Sequence, residues 1–180
     1  MNNQKTGKPH ILFLFSDTGG GHRSAADAII EALNLEFPGQ TTTEMVDIFR
    51  NYAPPPFDIA PDIYPPLSKM PEVWEFGYKL SNGKRRYSLF TGMFGAYFRR
   101  ACQRLVKEHP SDMIVSVHPL MNAPFRRSVA RMKIPFITVV TDMVSTHAFW
   151  YDPYVDFIVV PTEAARLRGI QLGVKPEKME

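Results

Sequence analysis

Cysteine is almost missing from this 180-residue chain. Cys102 stands alone, which excludes an internal disulfide and fits a reducing compartment. Long hydrophobic runs are missing too: the polar start MNNQKTGKPH and the short apolar run ILFLF lack the length of a signal h-region or a membrane span. Charge of one sign is scarce overall, since 21 basic against 18 acidic residues leave only +3, too little to imply nucleic acid. No repeat occurs, and the only biased tract is one proline segment. What these absences leave is a cytoplasmic protein, with attachment to a membrane surface still open. Its 44% hydrophobic and 22% charged residues are ordinary for a soluble domain. Residues 1–180 read as one domain, long enough to bury a full core.

The apolar run HILFLF (10–15) has the character of a parallel strand buried on both faces. A glycine loop follows, then an alanine-rich amphipathic segment, RSAADAIIEALNLEF (23–37), ended by Pro-Gly, and a second strand over 41–49. This opening predicts a Rossmann-like α/β sheet. Strands are expected again at 112–117, 134–141 and 155–160, with helices over 121–133 and 162–173, the last started by Thr162 and stopped by Gly173. Residues 50–110 are therefore an insertion between strands two and three. Its prolines, PPPFDIAPDIYPPLSKMP (54–71), predict an extended loop. A short helix over 72–83 and a longer segment over 84–110 complete it.

In an open parallel sheet, ligands bind outside the carboxyl ends of the strands. Asp17, Gly19, Gly20, Gly21 and His22 follow strand one, His118 follows strand three, and Asp142 and His147 follow strand four. Three of the five histidines thus fall at one sheet edge. The glycines would let a ligand approach the backbone, and the helix start offers unpaired N–H groups to an anion; the plainer alternative is a tight strand-to-helix turn. A P-loop would need Gly-Lys-Ser/Thr where His22, Arg23 and Ser24 stand. A dinucleotide fingerprint can be read as Gly19, Gly21 and Ser24 with Asp47 as the ribose acid, but it leaves His22 without a task. His22, in the positive potential of a helix start, should be neutral near pH 7 and suited to accept a proton. His118 and His147 have structural alternatives. A metal site of His22, His118, His147 and Asp142 is conceivable, but their spacings match no metal motif, and no metal or other cofactor is assigned.

Acidic residues are missing altogether between Lys79 and Lys107, a stretch that carries eight Lys or Arg. On a helical projection Phe90, Phe94, Tyr97, Phe98, Ala101 and Leu105 share one face, and Arg86, Arg100, Arg104 and Lys107 another. Such a pattern suits a helix lying in an anionic membrane surface, with Arg85, Arg86, Phe90, Phe94, Arg99, Arg100 and Arg104 as the contacts. The alternative is a helix that covers the sheet and turns its arginines to solvent.

The stretches SDTGGGHRSAADAI, SVHPL and TVVTDMVSTHAFWYDPYVDFIVVPTEAARLRGIQLGV closely resemble the amino-terminal domain of the monogalactosyldiacylglycerol synthase family. That family includes plant galactolipid synthases and bacterial processive diacylglycerol glucosyltransferases; the lipid I N-acetylglucosaminyltransferase is a more distant relative. The resemblance implies the amino-terminal half of a GT-B glycosyltransferase, inverting and independent of a catalytic metal. It implies His22 as the catalytic base. Gly19, Gly20, Gly21, Arg23, His118, Asp142, His147 and Trp150 are placed as substrate-binding residues, with the insertion as the acceptor and membrane region. The implied partners are diacylglycerol or a related lipid, an anionic membrane on the inner face of the cell membrane, and a donor-binding domain in cis or on another chain. A UDP-sugar would be held mainly by that second domain, which is not expected before KPEKME; the chain alone should therefore be inactive. Two other readings remain at this point: a non-catalytic lipid- or membrane-binding module, and a dinucleotide-binding domain of an oxidoreductase.

Overall fold

A computed structural model describes residues 7–18, 21–120, 122–143 and 145–180, without the side chains of Trp74, Lys84, Arg85, Phe90 and Phe94. The expectations placed on Gly19, Gly20 and the side chains of Arg85, Phe90 and Phe94 therefore lie outside the described residues. Five parallel strands form one sheet in the order β2-β1-β3-β4-β5: β1 (His10–Phe15), β2 (Thr42–Asp47), β3 (Met113–Ser116), β4 (Phe136–Val139) and β5 (Phe157–Val159). The fold is α/β and Rossmann-like.

Strand β1 shows why its continuous apolar run was needed. Leu12 and Leu14 face one core, while Ile11, Phe13 and Phe15 face another on the opposite side of the sheet. Alternation along a strand sends neighbours to opposite faces, and here both faces are covered. Helix α1 (Gly21–Glu36) covers the second face with Ala26, Ile29, Ile30 and Leu33. The larger core holds Phe98, Leu105, Phe125, Phe136, Trp150 and Ile158, brought by helices α5 (Lys84–Glu108) and α6 (Asn122–Val129) and by the later strands and turns. Helix α7 (Glu163–Leu172) begins as expected at Thr162, whose hydroxyl accepts from the Ala165 N–H, and ends at Gly173 with φ +102°.

The insertion departs from expectation in two places. Strand two stops at Asp47, because that side chain caps a short helix α2 (Ile48–Tyr52) by accepting from the Phe49 and Arg50 N–H groups. The proline segment is not an extended loop throughout: a 3-10 turn (Phe57–Ile59) leads into helix α3 (Ala60–Ser68). Pro61 lies in the first turn, where the N–H groups have no helical partner in any case. Pro65 and Pro66 forgo only two bonds in a helix this short. Helix α4 (Pro71–Ser81) and the long α5 follow.

The two readings of α5 divide between its faces. Tyr87, Thr91, Phe98, Cys102, Leu105 and Val106 are buried along its length, so one face is that of a covering helix, packed on α6. Phe98 (3% exposed) and Leu105, expected on a membrane face, belong to the core. Helical spacing alone could not say which neighbouring stripe met the sheet. Exposed apolar residues do remain in the insertion: Val73, Phe76 and Leu80 on α4, and Leu89, Met93 and Tyr97 on α5. Arg99 and Arg100 are exposed. Arg104 is engaged instead, donating to the Asn51 carbonyl at 3.2 Å and lying 4.9 Å over the Tyr52 ring. Arg86 donates to the Lys79 carbonyl. No helix among the described residues is long and apolar enough to cross a membrane.

Candidate active site at the sheet's switch point

After β1 the chain moves to β2 on one side, and it later returns to β3 on the other. The carboxyl ends of β1 and β3 therefore diverge into a crevice, the usual ligand position of such a sheet. His22 is the second residue of α1, directly after β1, and His118 lies two residues beyond β3. Their rings meet edge to face with centroids 4.7 Å apart.

Asp47 anchors the entrance. Its Oδ1 accepts from the Phe49 and Arg50 N–H groups at 3.0 Å, and its Oδ2 accepts from the Asp17 N–H at 2.9 Å. A buried carboxylate that already accepts from three backbone donors keeps one acceptor site at most, too few to hold a ribose diol bidentately, and this weakens the dinucleotide reading. Arg23 folds back on Asp17 in a bidentate pair (Nε at 2.7 Å, an Nη at 2.6 Å) and covers the Phe15 ring at 4.4 Å. The Arg23 hydrogen bond holds the Asp17 carboxyl below the usual carboxylate range. Arg23 thus straps the two ends of the glycine loop together. A Cβ built on Gly21 would meet nothing within 4 Å, so the space above it is open.

His22 is half-buried, with Nδ1 3.2 Å from the Thr141 hydroxyl oxygen. Burial pushes its imidazole below the ordinary histidine value, opposed by a hydrogen bond to the Val117 carbonyl and by the Asp142 charge. Burial, more than the helix start, is what keeps the ring neutral. A neutral ring that donates one N–H to a carbonyl keeps a lone pair on its other nitrogen, and that nitrogen is basic. Asp142 is oriented by the Trp150 indole, which donates to Oδ2 at 2.7 Å, and the Trp150 ring lies 6.0 Å from that of His22. His22, Asp142, Trp150 and His118 form one group.

His118 is fully buried, with Nε2 3.1 Å from the Thr18 hydroxyl and Nδ1 without a partner among the described residues. Burial, reinforced by His22, holds it well below the usual value, so it is a neutral wall of the site. His147 faces the insertion. Its Nδ1 accepts from the Phe149 N–H at 3.2 Å, its Nε2 lies 3.0 Å from the Ser81 hydroxyl, and burial lowers it to about 4. Both nitrogens are thus occupied within the chain. Thr141, Thr18 and the Val117 carbonyl were missed from the sequence, although all three sit at strand ends where the edge rule would have found them. Among the described residues, no three His, Cys, Asp or Glu side chains gather as a metal-ligand set.

A parallel sheet in this order, with a histidine and an oriented carboxylate gathered at its switch point, defines a Rossmann-like domain with a candidate site at its strand ends. Over residues 22–180 the sequence matches the family described as monogalactosyldiacylglycerol (MGDG) synthase, and the chain belongs to that family. It is 33% identical over its whole length to monogalactosyldiacylglycerol synthase 1, chloroplastic, of Arabidopsis thaliana, covering 35% of that protein. It is 32% identical over 94% of its length to the probable chloroplastic monogalactosyldiacylglycerol synthase of Nicotiana tabacum, covering 32% of it. The chain therefore spans about a third of the length of these relatives. Among solved structures, the lipopolysaccharide outer core galactosyltransferase WaaB in its apo form shares the fold, with a TM-score of 0.52 at 12% identity over 95% of this chain and 44% of that one.

Proposed function

We propose that this chain is the acceptor-binding part of an inverting glycolipid glycosyltransferase that moves a hexose from a UDP-sugar to diacylglycerol. The observation that carries the proposal is the state of His22: a neutral imidazole at the crevice between β1 and β3, with an oriented carboxylate, Asp142, close enough to favour its protonated form. Such a group suits one task, taking a proton from a hydroxyl as that hydroxyl becomes a nucleophile. In the proposed step the diacylglycerol oxygen bonds to the anomeric carbon as the bond from that carbon to the UDP oxygen breaks. The hydroxyl proton passes to the unprotonated nitrogen of His22, and Asp142 stabilises the imidazolium that forms. The open space over Gly21 leaves room for the reacting groups. The apolar side chains exposed on α4 and α5 suit contact with a lipid surface at the cytoplasmic side of the membrane. A donor-binding domain, in cis or on a partner chain, would hold most of the nucleotide, and the names of the relatives make UDP-galactose the first donor to supply.

The test is His22→Ala in an enzyme form that contains this chain and turns over. The rate should fall by roughly a hundredfold to ten-thousandfold, the usual worth of a positioned base, with vesicle binding unchanged. The exposed apolar surface also supports a second reading, a membrane-binding module without catalysis. Near-normal turnover in the His22→Ala enzyme would remove His22 from the chemistry and favour that module.

A further inference from the structure

Tyr78, Ser81 and Asn82 stand at i, i+3 and i+4 at the end of α4, so they share one face. That face meets the segment running from Ser145 to Trp150. The Tyr78 hydroxyl donates to the Ser145 carbonyl at 3.2 Å, and the Ser81 hydroxyl lies 3.0 Å from His147 Nε2. Asn82 Oδ1 accepts twice, from the Ala148 N–H and from an Arg168 Nη, each at 3.1 Å. Rings add to the grip. Tyr78 meets His147 at 4.9 Å, His147 meets Phe149 at 4.5 Å, and Phe149 meets Tyr87 of α5 at 6.1 Å. Beside these contacts lies an open groove of about 460 Å³, lined by Tyr78, Asn82, Ser145, Thr146, Leu167 and Arg168. Ala148 and Trp150 are themselves packed into the larger core, while on the groove side the polar contacts are what tie the segment to α4.

What they hold bears on the site. Ala148–Trp150 is a single 3-10 turn, and Trp150 at its end supplies the indole N–H that orients Asp142 towards its role beside His22. Asn82 joins three parts at one atom: the end of α4, the N–H that opens this turn, and α7 through Arg168. The same α4 carries Val73, Phe76 and Leu80 exposed.

We propose that Asn82 is a positioning residue for the His22–Asp142 pair, holding the 148–150 turn so that the lie of the insertion sets the direction of the Trp150 indole and hence of Asp142. This rests on the reading of His22 as the base. Membrane contact by α4 would then reach the reacting centre through one amide oxygen, without a ligand at the centre itself.

The experiment compares Asn82→Ala with Asn82→Asp. Alanine has no acceptor, whereas a carboxylate oxygen can accept from both Ala148 and Arg168. Nuclear magnetic resonance of the chain reads the Trp150 indole N–H, distinguished from the second tryptophan by Trp74→Phe, and the titration of His22. In Asn82→Ala the indole signal should move, and the His22 midpoint should fall because the Asp142 charge that raises it is displaced. In the active enzyme kcat should drop about ten- to a hundredfold, as expected for a small misplacement near the chemistry, with KM for the donor little changed. Asn82→Asp should restore all three. Unchanged indole and His22 signals in Asn82→Ala, or no rescue by aspartate, would overturn the proposal. If His22→Ala keeps full turnover while Asn82→Ala still moves both signals, the base assignment fails and the coupling from Asn82 to Asp142 stands.

Discussion

At the scale of the residue, His22 illustrates how a site is made from opposing influences. Burial disfavours its charged form, while the Val117 carbonyl and Asp142 favour it. Because burial wins, the ring titrates below the ordinary 6.5, and the neutral base predominates at pH 7. Activity should therefore be lost as pH falls through a limb lying below pH 6.5. Asp142→Asn removes a charge that raises the His22 value, so it should move that limb to still lower pH. It should also slow turnover, by about tenfold or more, since the forming imidazolium loses its counter-charge. A pH–rate profile of both enzymes checks this; an unmoved limb in Asp142→Asn would separate Asp142 from His22. The motif Gly-Gly-Gly-His-Arg made His22 legible from sequence, and strand order put His118 and Asp142 at its edge, but their contacts with it and the approach of Thr141 were not legible. Thr141 and Trp150 approach it only because β4 lies next to β3 and a turn folds back over the strand ends.

At the scale of the element, α5 shows where periodicity stops being informative. Its sequence offers a broad apolar arc beside a basic one, and the structure divides that arc between core and solvent. Phe98 and Leu105 are core, while Leu89 and Met93 are exposed. Replacing Leu89 and Met93 with serine should weaken cosedimentation with phosphatidylglycerol vesicles and leave stability nearly unchanged. Phe98→Ala should cost about 3–5 kcal/mol in a urea titration, as large-to-small changes at buried aromatics do. Charge reversal is best confined to Arg99 and Arg100, because Arg104 is tied to Asn51 and Glu108. It should reduce vesicle binding most at low salt, where screening is weakest. Helix α7 carries a different constraint. A Cβ on Gly169 would fall 2.5 Å from Met179 Sδ and 2.8 Å from the buried Tyr151 ring. Met179 can yield, but the ring cannot easily do so, and Gly169→Ala should destabilise by roughly 1–3 kcal/mol. A melting curve like that of the wild type would show that α7 is free to shift.

At the scale of the whole molecule, acid stability follows from the buried histidines. His118 and His147 both titrate below 6.5 when folded, so below that pH the unfolded chain binds more protons than the folded one. Stability must then fall as pH is lowered from about 6.5, with the His147 share continuing down to about 4. That share alone comes to about 2 kcal/mol at pH 5. Asp17, lowered from 3.8, contributes a loss only at more acid pH, so the window from 6.5 to 5 belongs to histidine. Urea midpoints at pH 7.5 and 5.0 check this, and equal midpoints would mean the two rings accept protons without strain. The sheet, the gathering of His22, His118 and Asp142 at one edge of it, the insertion, and the cap and stop of α7 were legible in the sequence alone, since each depends on local periodicity or on residues a few positions apart. Only the tertiary structure decided that Asp47 caps a helix, that α3 tolerates its prolines, that one face of α5 is core, and that His147 is held by Ser81 from 66 residues away. These depend on which surfaces meet, and burial and hydrogen-bond satisfaction are settled by neighbours that are distant along the chain.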